Sequence, residues 1–94
     1  PVRPTIGKAL YQWVTAGSEA DTRQWFADQL SATSPAFELD EDELNRLGYS
    51  LLKATDKRPA ILVFELTVQA FPKSANAHDS LSEALEAAGD RAAA

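Results

Sequence analysis

The sequence predicts an all-α fold of about five helices stacked as antiparallel helical hairpins. Apolar residues recur at helical spacing in successive segments of the chain. Polar capping residues and Gly or Pro stop signals separate these segments. A set of residues in the second half also fits one repeating frame, so we expect a single domain that spans residues 1–94, with no segment long and apolar enough to enter a membrane.

The first two predicted helices pair across a short turn. The first covers residues 5–16, with Thr5 as its N-cap and Gly17 as its stop. The second runs from about residue 20 to 30 and buries Phe26. Together they form the first hairpin of the predicted fold.

The third and fourth predicted helices form the second hairpin. Asp40 is expected to cap a helix over residues 41–54, with Glu43 as the reciprocal partner of a capping box. The next segment, residues 60–68, is rich in β-branched residues and also fits a strand. Its length, and Pro59 at the position of a first helical turn, favour a helix.

A fifth helix is predicted near the end of the chain. Ser74 is expected to cap it, Gly89 to stop it near Ala88, and Asp90 to cap a short stub that follows.

The repeating frame lies mainly in the second half of the sequence. Its positions are Leu44, Leu47, Gly48, Leu51, Ala60, Phe64 and Pro72. A shift of one repeat superposes His78, Leu81, Ser82 and Leu85 on the first four of them. We therefore expect His78 to fill a core position and Ser82 to permit close helix packing.

This spacing resembles a tetratricopeptide repeat, a 34-residue helix–turn–helix unit that stacks into a right-handed superhelix. In this frame, residues 5–38 form a divergent hairpin, 41–74 a central repeat and 75–94 a truncated half repeat. The chain is also similar to the tetratricopeptide-like tail of bacterial serine hydrolases in three segments, 44–52, 71–77 and 79–84. These hydrolases are of the β-lactamase, penicillin-binding and esterase types. That resemblance implies a non-catalytic domain of a periplasmic or secreted enzyme; without it, we expect a cytoplasmic protein.

Composition excludes several functions. The net charge of −5 argues against nucleic-acid binding, which needs a basic face. With no Cys and one His, thiolate chemistry and most zinc sites are excluded, and we expect no metal or cofactor. The chain contains no Met and begins at Pro1, so we expect it to be part of a larger protein. The resemblance to the hydrolase tails implies that this protein is bacterial.

Three sequence patterns carry possible chemistry. Ser50-x-x-Lys53 matches a hydrolase nucleophile motif, but its two fixed residues are common by chance. The residues His78, Asp79 and Ser80 are the triad types, yet consecutive helical residues point about 100° apart and cannot form a relay. The acidic run 38–43 is able to attract a cation, although it is better explained as a solvated helix start.

The aromatic residues Trp13, Trp25 and Phe26 are expected mainly in the core. Trp25 lies beside the apolar stripe of its helix, so it is the best interface anchor of the three.

The resemblance places protein binding on a concave face lined by the first helix of each hairpin. The candidate binding residues are Tyr11, Asp42, Asn45, Arg46, Tyr49, Lys53, Asn76, Asp79, Glu83 and Glu86. Because Asp79 and Glu83 are acidic, a neutral or mildly basic partner surface is expected.

We therefore predict a non-catalytic interaction or scaffold module that binds a partner protein or the rest of its own parent chain. The alternative is a self-association domain, a homodimer, that pairs through an uncapped Leu81–Leu85 face. A hydrolase that uses Ser50 and Lys53 is the remote alternative.

Overall fold

The computed structural model describes residues 2–89, which form five α-helices and no strand. The helices are α1 (Gly7–Ala16), α2 (Glu19–Ser31), α3 (Glu41–Leu52), α4 (Arg58–Ala70) and α5 (Ala75–Ala87). The all-α class and the number of helices are confirmed. The predicted stub from Asp90 onward lies outside the described residues.

Helix α4 is the centre of the fold. It packs against each of the other four helices, and Ala60, Leu62, Val63, Phe64, Leu66 and Thr67 are buried on several of its sides. The segment that also fitted a strand is therefore helical. Burial on most of its faces explains its uniformly apolar sequence better than strand alternation does.

One hydrophobic core joins both halves of the chain. Its buried residues are Ile6, Leu10, Val14, Phe26, Leu44, Leu62, Val63 and Leu66. They come from α1, α2, α3, α4 and the residue that precedes α1. The first hairpin is thus packed onto the second, and α5 completes the fold by packing on α4.

Local capping residues start three of the helices. The side chains of Ser18, Asp40 and Ser74 accept hydrogen bonds from the backbone N–H groups of Asp21, Glu43 and Ala77, at 3.0, 3.1 and 3.1 Å. The predicted caps Asp40 and Ser74 are confirmed. The predicted stop at Gly89 is also confirmed, since its φ of 83° lies in the left-handed region that favours glycine.

The start of α1 differs from the prediction. Thr5 is not its N-cap. The N-cap position is occupied by Ile6, which makes no capping hydrogen bond with its side chain. Instead, the Glu43 carboxylate of α3 accepts a hydrogen bond from the Gly7 N–H at 2.8 Å and another from the Thr5 hydroxyl at 2.6 Å. Glu43 therefore caps α1, whereas the sequence predicted that it would complete a capping box at the start of its own helix, α3.

The segment before α1 is tied to the connector between α2 and α3. Thr5 and Glu38 form an isolated parallel β-bridge, in which the Ile6 N–H donates to the Glu38 carbonyl at 3.0 Å and the Glu38 N–H donates to the Pro4 carbonyl at 2.8 Å. Arg3 adds an ion pair to the Glu38 carboxylate at 2.6 Å. These bonds close the first hairpin at its open end.

Candidate functional site

The predicted binding residues lie mostly on α3 and α5. We call the surface formed by the following residues the α3–α5 face: Asp42, Asn45, Arg46, Tyr49, Lys53, Asn76, Asp79, Glu83 and Glu86. Asn45 and Tyr49 are half-buried and the other seven are exposed. Tyr11 lies apart from this face on α1 and is 48% exposed.

Hydrogen bonds join the two helices of this face. The Tyr49 hydroxyl donates to the Glu83 carboxylate, and the Ser80 hydroxyl donates to the Asn45 side-chain oxygen at 2.7 Å. The Tyr49 ring packs edge-on against Phe64 of α4, with 5.1 Å between ring centroids. Three of the predicted binding residues (Asn45, Tyr49 and Glu83) are therefore used inside the chain.

The sequence did not single out Ser80 as a member of this network. Ser80 is 3% exposed, and its hydroxyl lies 3.4 Å from that of Tyr49. The available signal was a small polar residue on the buried side of α5, close to one repeat after Asn45. A buried hydroxyl needs a hydrogen-bond partner, and the Asn45 amide supplies it.

The bond to Glu83 also changes the acidity of Tyr49. The phenol donates to a carboxylate, so its ionisation would leave two negative groups in contact. This hydrogen bond is the main cause that raises the pKa of Tyr49, and partial burial of the phenol adds to it. Tyr49 therefore stays protonated through the neutral range, and its donor proton holds α3 to α5.

The contacts fix the relative direction of α3 and α5. Asn45 pairs with Ser80, and one turn later Tyr49 pairs with Glu83, so the two helices run parallel and in register. These contacts are flanked by Arg46 of α3 and by Lys53, which directly follows α3, and on α5 they are flanked by Asp79 and Glu86. The α3–α5 face thus carries a basic row beside an acidic row.

Neither row is neutralised within the described part of the chain. The ion pairs among residues 2–89 are Arg3 with Glu38, Arg23 with Glu19 and Glu65, and Arg58 with Asp56. None of them involves a residue of the α3–α5 face. Its four flanking charges are therefore available to a partner.

The acidic run before and within α3 serves mainly intramolecular contacts. Glu38 pairs with Arg3, Asp40 caps α3, and Glu43 caps α1. Glu41 accepts a hydrogen bond from the Ser74 hydroxyl at 2.6 Å. Each of these carboxylates therefore binds a different group of the chain. Among residues 2–89, no group of three or more side chains is placed to hold a metal ion.

The residues of the two catalytic motifs lie on the surface, except for Ser80. Ser50 and Lys53 are both exposed in the last turn of α3 and just after it. His78 does not fill the core position that the repeat frame predicted: it is exposed, and its Nε2 lies 2.9 Å from the Pro72 carbonyl oxygen. Ala77 and Ser80 take the buried positions there instead, because small side chains let α5 pack close to α4.

The aromatic residues of the first hairpin form a stack. The Trp13 and Trp25 rings lie 5.5 Å apart at an interplanar angle of 22°, and the Phe37 ring meets Trp25 edge-on at 6.0 Å. Phe26 is fully buried, whereas both Trp residues are half-buried. Trp25 packs against the hydrophobic core, so much of its surface is already used inside the fold.

A shallow cleft lies between the α1–α2 turn and the start of α4. It has a volume of about 230 Å³, and its lining includes Val14, Glu19, Arg58 and Leu62. Arg58 is held by Asp56, whose pKa it lowers through their hydrogen bond. The positive charge of Arg58 in this cleft is thus already paired with Asp56.

Comparison with known proteins found no family model, no curated protein and no solved structure that matches this chain. None of the described helices has the length and apolar character needed to cross a lipid bilayer. The α3–α5 face therefore has to be interpreted from its own chemistry. It carries exposed charges in two rows of opposite sign, and none of them forms an ion pair among residues 2–89.

Proposed function

We propose that this domain is a non-catalytic protein-interaction module of the tetratricopeptide type, and that it binds its partner through the α3–α5 face. The observation that carries the proposal is the cross-helix network of Asn45, Ser80, Tyr49 and Glu83. It fixes two parallel helices in one orientation, so a partner meets a surface that is already organised and loses less entropy on binding.

The repeat arrangement itself is supported by the spacing of these contacts. Three side-chain hydrogen bonds join residues that are separated by close to the 34 residues of one repeat. They link Ser74 to Glu41, Ser80 to Asn45, and Glu83 to Tyr49. Gly48, at the small position of the frame, lies against the Phe64 ring of the next helix, and a Cβ there would stand 2.5 Å from that ring. Both features are expected of stacked helical hairpins.

The rows of charge suggest how the face selects its partner. Exposed ion pairs contribute only about 0–1 kcal/mol each, so they give specificity and encounter rate more than affinity. A partner that places opposite charges over the two rows is favoured, and one with like charges is repelled.

A site-specific photocrosslinking experiment tests the proposal in the cells that make the protein. A photoreactive amino acid at Asn76, an exposed residue of the α3–α5 face on α5, should give a discrete adduct with a partner. The matched control is Gln24, an exposed residue on α2. Identical adducts at the two positions would contradict binding through the α3–α5 face.

The partner identified in that way should then be measured against the purified domain. Arg46→Glu with Lys53→Glu is expected to weaken its binding about tenfold or more, because two cation contacts become repulsive. Lys73→Glu with Asp28→Lys, at exposed sites outside the α3–α5 face, serves as the control and should leave binding unchanged. Equal binding by all three proteins would rule out the proposed face.

A further inference from the structure

We infer that the α3–α5 face binds a second copy of this chain, through ion pairs of Arg46 with Asp79 and of Lys53 with Glu86 between the two copies. This inference rests on the proposed use of the face and names its occupant. Three properties of the two rows of charge support it: their spacing, their register and their sign.

The two rows have the same spacing. Arg46 of α3 and Lys53, the residue that follows α3, are seven residues apart, and Asp79 and Glu86 are seven residues apart on α5. Seven residues span two helical turns, or about 10.5 Å, and return to nearly the same side of a helix. Arg46 and Lys53 therefore present two exposed positive charges at the same separation as the two negative charges of Asp79 and Glu86.

The rows are also level with each other. The contact of Tyr49 with Glu83 lies between Arg46 and Lys53 on α3, and between Asp79 and Glu86 on α5. Because the helices run in the same direction, Arg46 stands beside Asp79 along the helix axes, and Lys53 stands beside Glu86. All four are exposed and take part in no ion pair among residues 2–89.

A two-fold axis converts this arrangement into a complementary contact. An axis that lies in the interface, parallel to the helices and midway between them, places α3 of one copy over α5 of the other without reversing either helix. Arg46 then faces the second copy's Asp79, Lys53 faces its Glu86, and the symmetry gives four ion pairs. The other in-plane axis, across the helices, would place α3 over α3 and bring like charges together.

Such a dimer is expected to be weak and sensitive to salt. Individual exposed ion pairs contribute little, so we expect a dissociation constant of roughly 0.1–1 mM at low ionic strength. Raising the salt from about 0.01 M to about 0.15 M shortens the screening length from about 30 Å to about 8 Å. The dimer should weaken about tenfold over this range.

Sedimentation equilibrium of the purified chain and three variants tests the inference. Arg46→Glu/Lys53→Glu makes the face wholly acidic, and Asp79→Lys/Glu86→Lys makes it mainly basic, so each variant alone should be monomeric. An equimolar mixture of the two should form a heterodimer about tenfold tighter than the native dimer, since each face then meets mainly charges of the opposite sign. The third variant carries all four substitutions, which exchange the rows, and should regain the native dimer.

The third variant also controls for net charge, because it keeps the native value while its rows are exchanged. Equal helical content by circular dichroism establishes that each variant is folded. A strict monomer at low salt, for the native chain or the mixture, would overturn the inference. A dimer whose dissociation constant changes neither with salt nor with these substitutions would also overturn it. Such a dimer would favour pairing through the half-buried Leu81 and Leu85.

These outcomes separate the inference from the proposed function. If the chain is monomeric but Arg46→Glu/Lys53→Glu abolishes capture of a different protein, the interaction module stands and only its self-pairing fails. If the dimer forms as described and no other protein is captured, the partner of the module is a second copy.

Discussion

Gly48 of α3 lies directly against the ring of Phe64, which is fully buried. A Cβ built at residue 48 would lie 2.5 Å from two carbons of that ring. Tyr49 packs edge-on against the same ring, with 5.1 Å between the ring centroids, and so restricts its movement. Helix approach at this point therefore depends on the absence of a side chain.

Gly48→Ala is expected to lower the free energy of unfolding by about 1–3 kcal/mol, as overpacking of a filled core does. This loss should appear even though Ala favours helix more than Gly by about 1 kcal/mol. Urea unfolding measures it. Ser82→Ala, one repeat later and exposed, is the control and should change stability by no more than about 0.5 kcal/mol. Equal effects at both sites would contradict the packing argument.

Tyr49 predicts a pH dependence of stability. Its bond to Glu83 raises its pKa above the usual value of about 10, so the unfolded chain releases the phenolic proton first. The contribution of Tyr49 is fully present below about pH 10 and is lost as the pH rises through the higher folded-state pKa. The stability difference between the native chain and Tyr49→Phe should therefore be constant from about pH 7 to 9 and shrink above about pH 10.

This measurement has an internal control. Tyr11→Phe removes the other tyrosine, on α1, and should leave the native decline above about pH 10 in place. If Tyr49→Phe showed the same decline as the native chain, the bond to Glu83 would not be formed in solution.

Residues that act through long-range partners were the hardest to predict. The sequence placed Tyr49 and Glu83 on one face because the repeat frame sets their spacing. It did not show that they bind each other, and the position of Ser80 on the buried side of α5 did not identify Asn45 as its partner. His78 was predicted wrongly because the frame marks a core position there, whereas α5 buries Ala77 and Ser80 instead. His78 follows Ala77 by about 100° around the helix and is exposed.

At the scale of the helices, prediction succeeded where the signals are local. The predicted caps Asp40 and Ser74 each accept a hydrogen bond from the backbone N–H three residues ahead, so a few consecutive residues of the sequence are enough to predict them. The start of α1 could not be predicted in this way. Its cap comes from Glu43, which is 36 residues away from Gly7 in the chain.

Removing the Glu43 carboxylate should therefore destabilise α1, although the residue belongs to α3. Glu43→Ala leaves the Gly7 N–H and the Thr5 hydroxyl without their acceptor and should cost about 1–3 kcal/mol in urea unfolding. Glu43→Gln keeps an oxygen for Gly7 and should cost less.

The neighbouring Asp42 provides the comparison. It lies in the same first turn of α3 and is exposed, so Asp42→Ala should lose only a helix-dipole interaction of about 0.3–1 kcal/mol. A cost at residue 42 as large as that at residue 43 would show that charge near the start of α3, and not the bond to Gly7, is responsible.

For the whole molecule, the shared core predicts a single unfolding transition. Leu10 and Phe26 of the first hairpin pack in the same cluster as Leu44, Val63 and Leu66 of the second. Neither hairpin is able to keep this surface buried alone. The two halves should therefore unfold together.

Two optical signals test this expectation. Fluorescence of Trp13 and Trp25 reports only on the first hairpin, whereas far-ultraviolet circular dichroism reports on all five helices. Their urea transitions should coincide within error. A fluorescence transition at clearly lower urea would show that α1 and α2 separate before the rest of the protein unfolds.

The bonds that tie residues 3–7 to the α2–α3 connector and to α3 also determine how the molecule would carry mechanical load. A pull at Val2 reaches Arg3, the Thr5–Glu38 bridge and the Glu43 carboxylate before it reaches the body of α1. Tension would pass through these bonds to the connector and to α3, and the α1–α2 hairpin would remain outside the loaded path. The first element to yield under force would then be a short set of hydrogen bonds, while the helices stay folded.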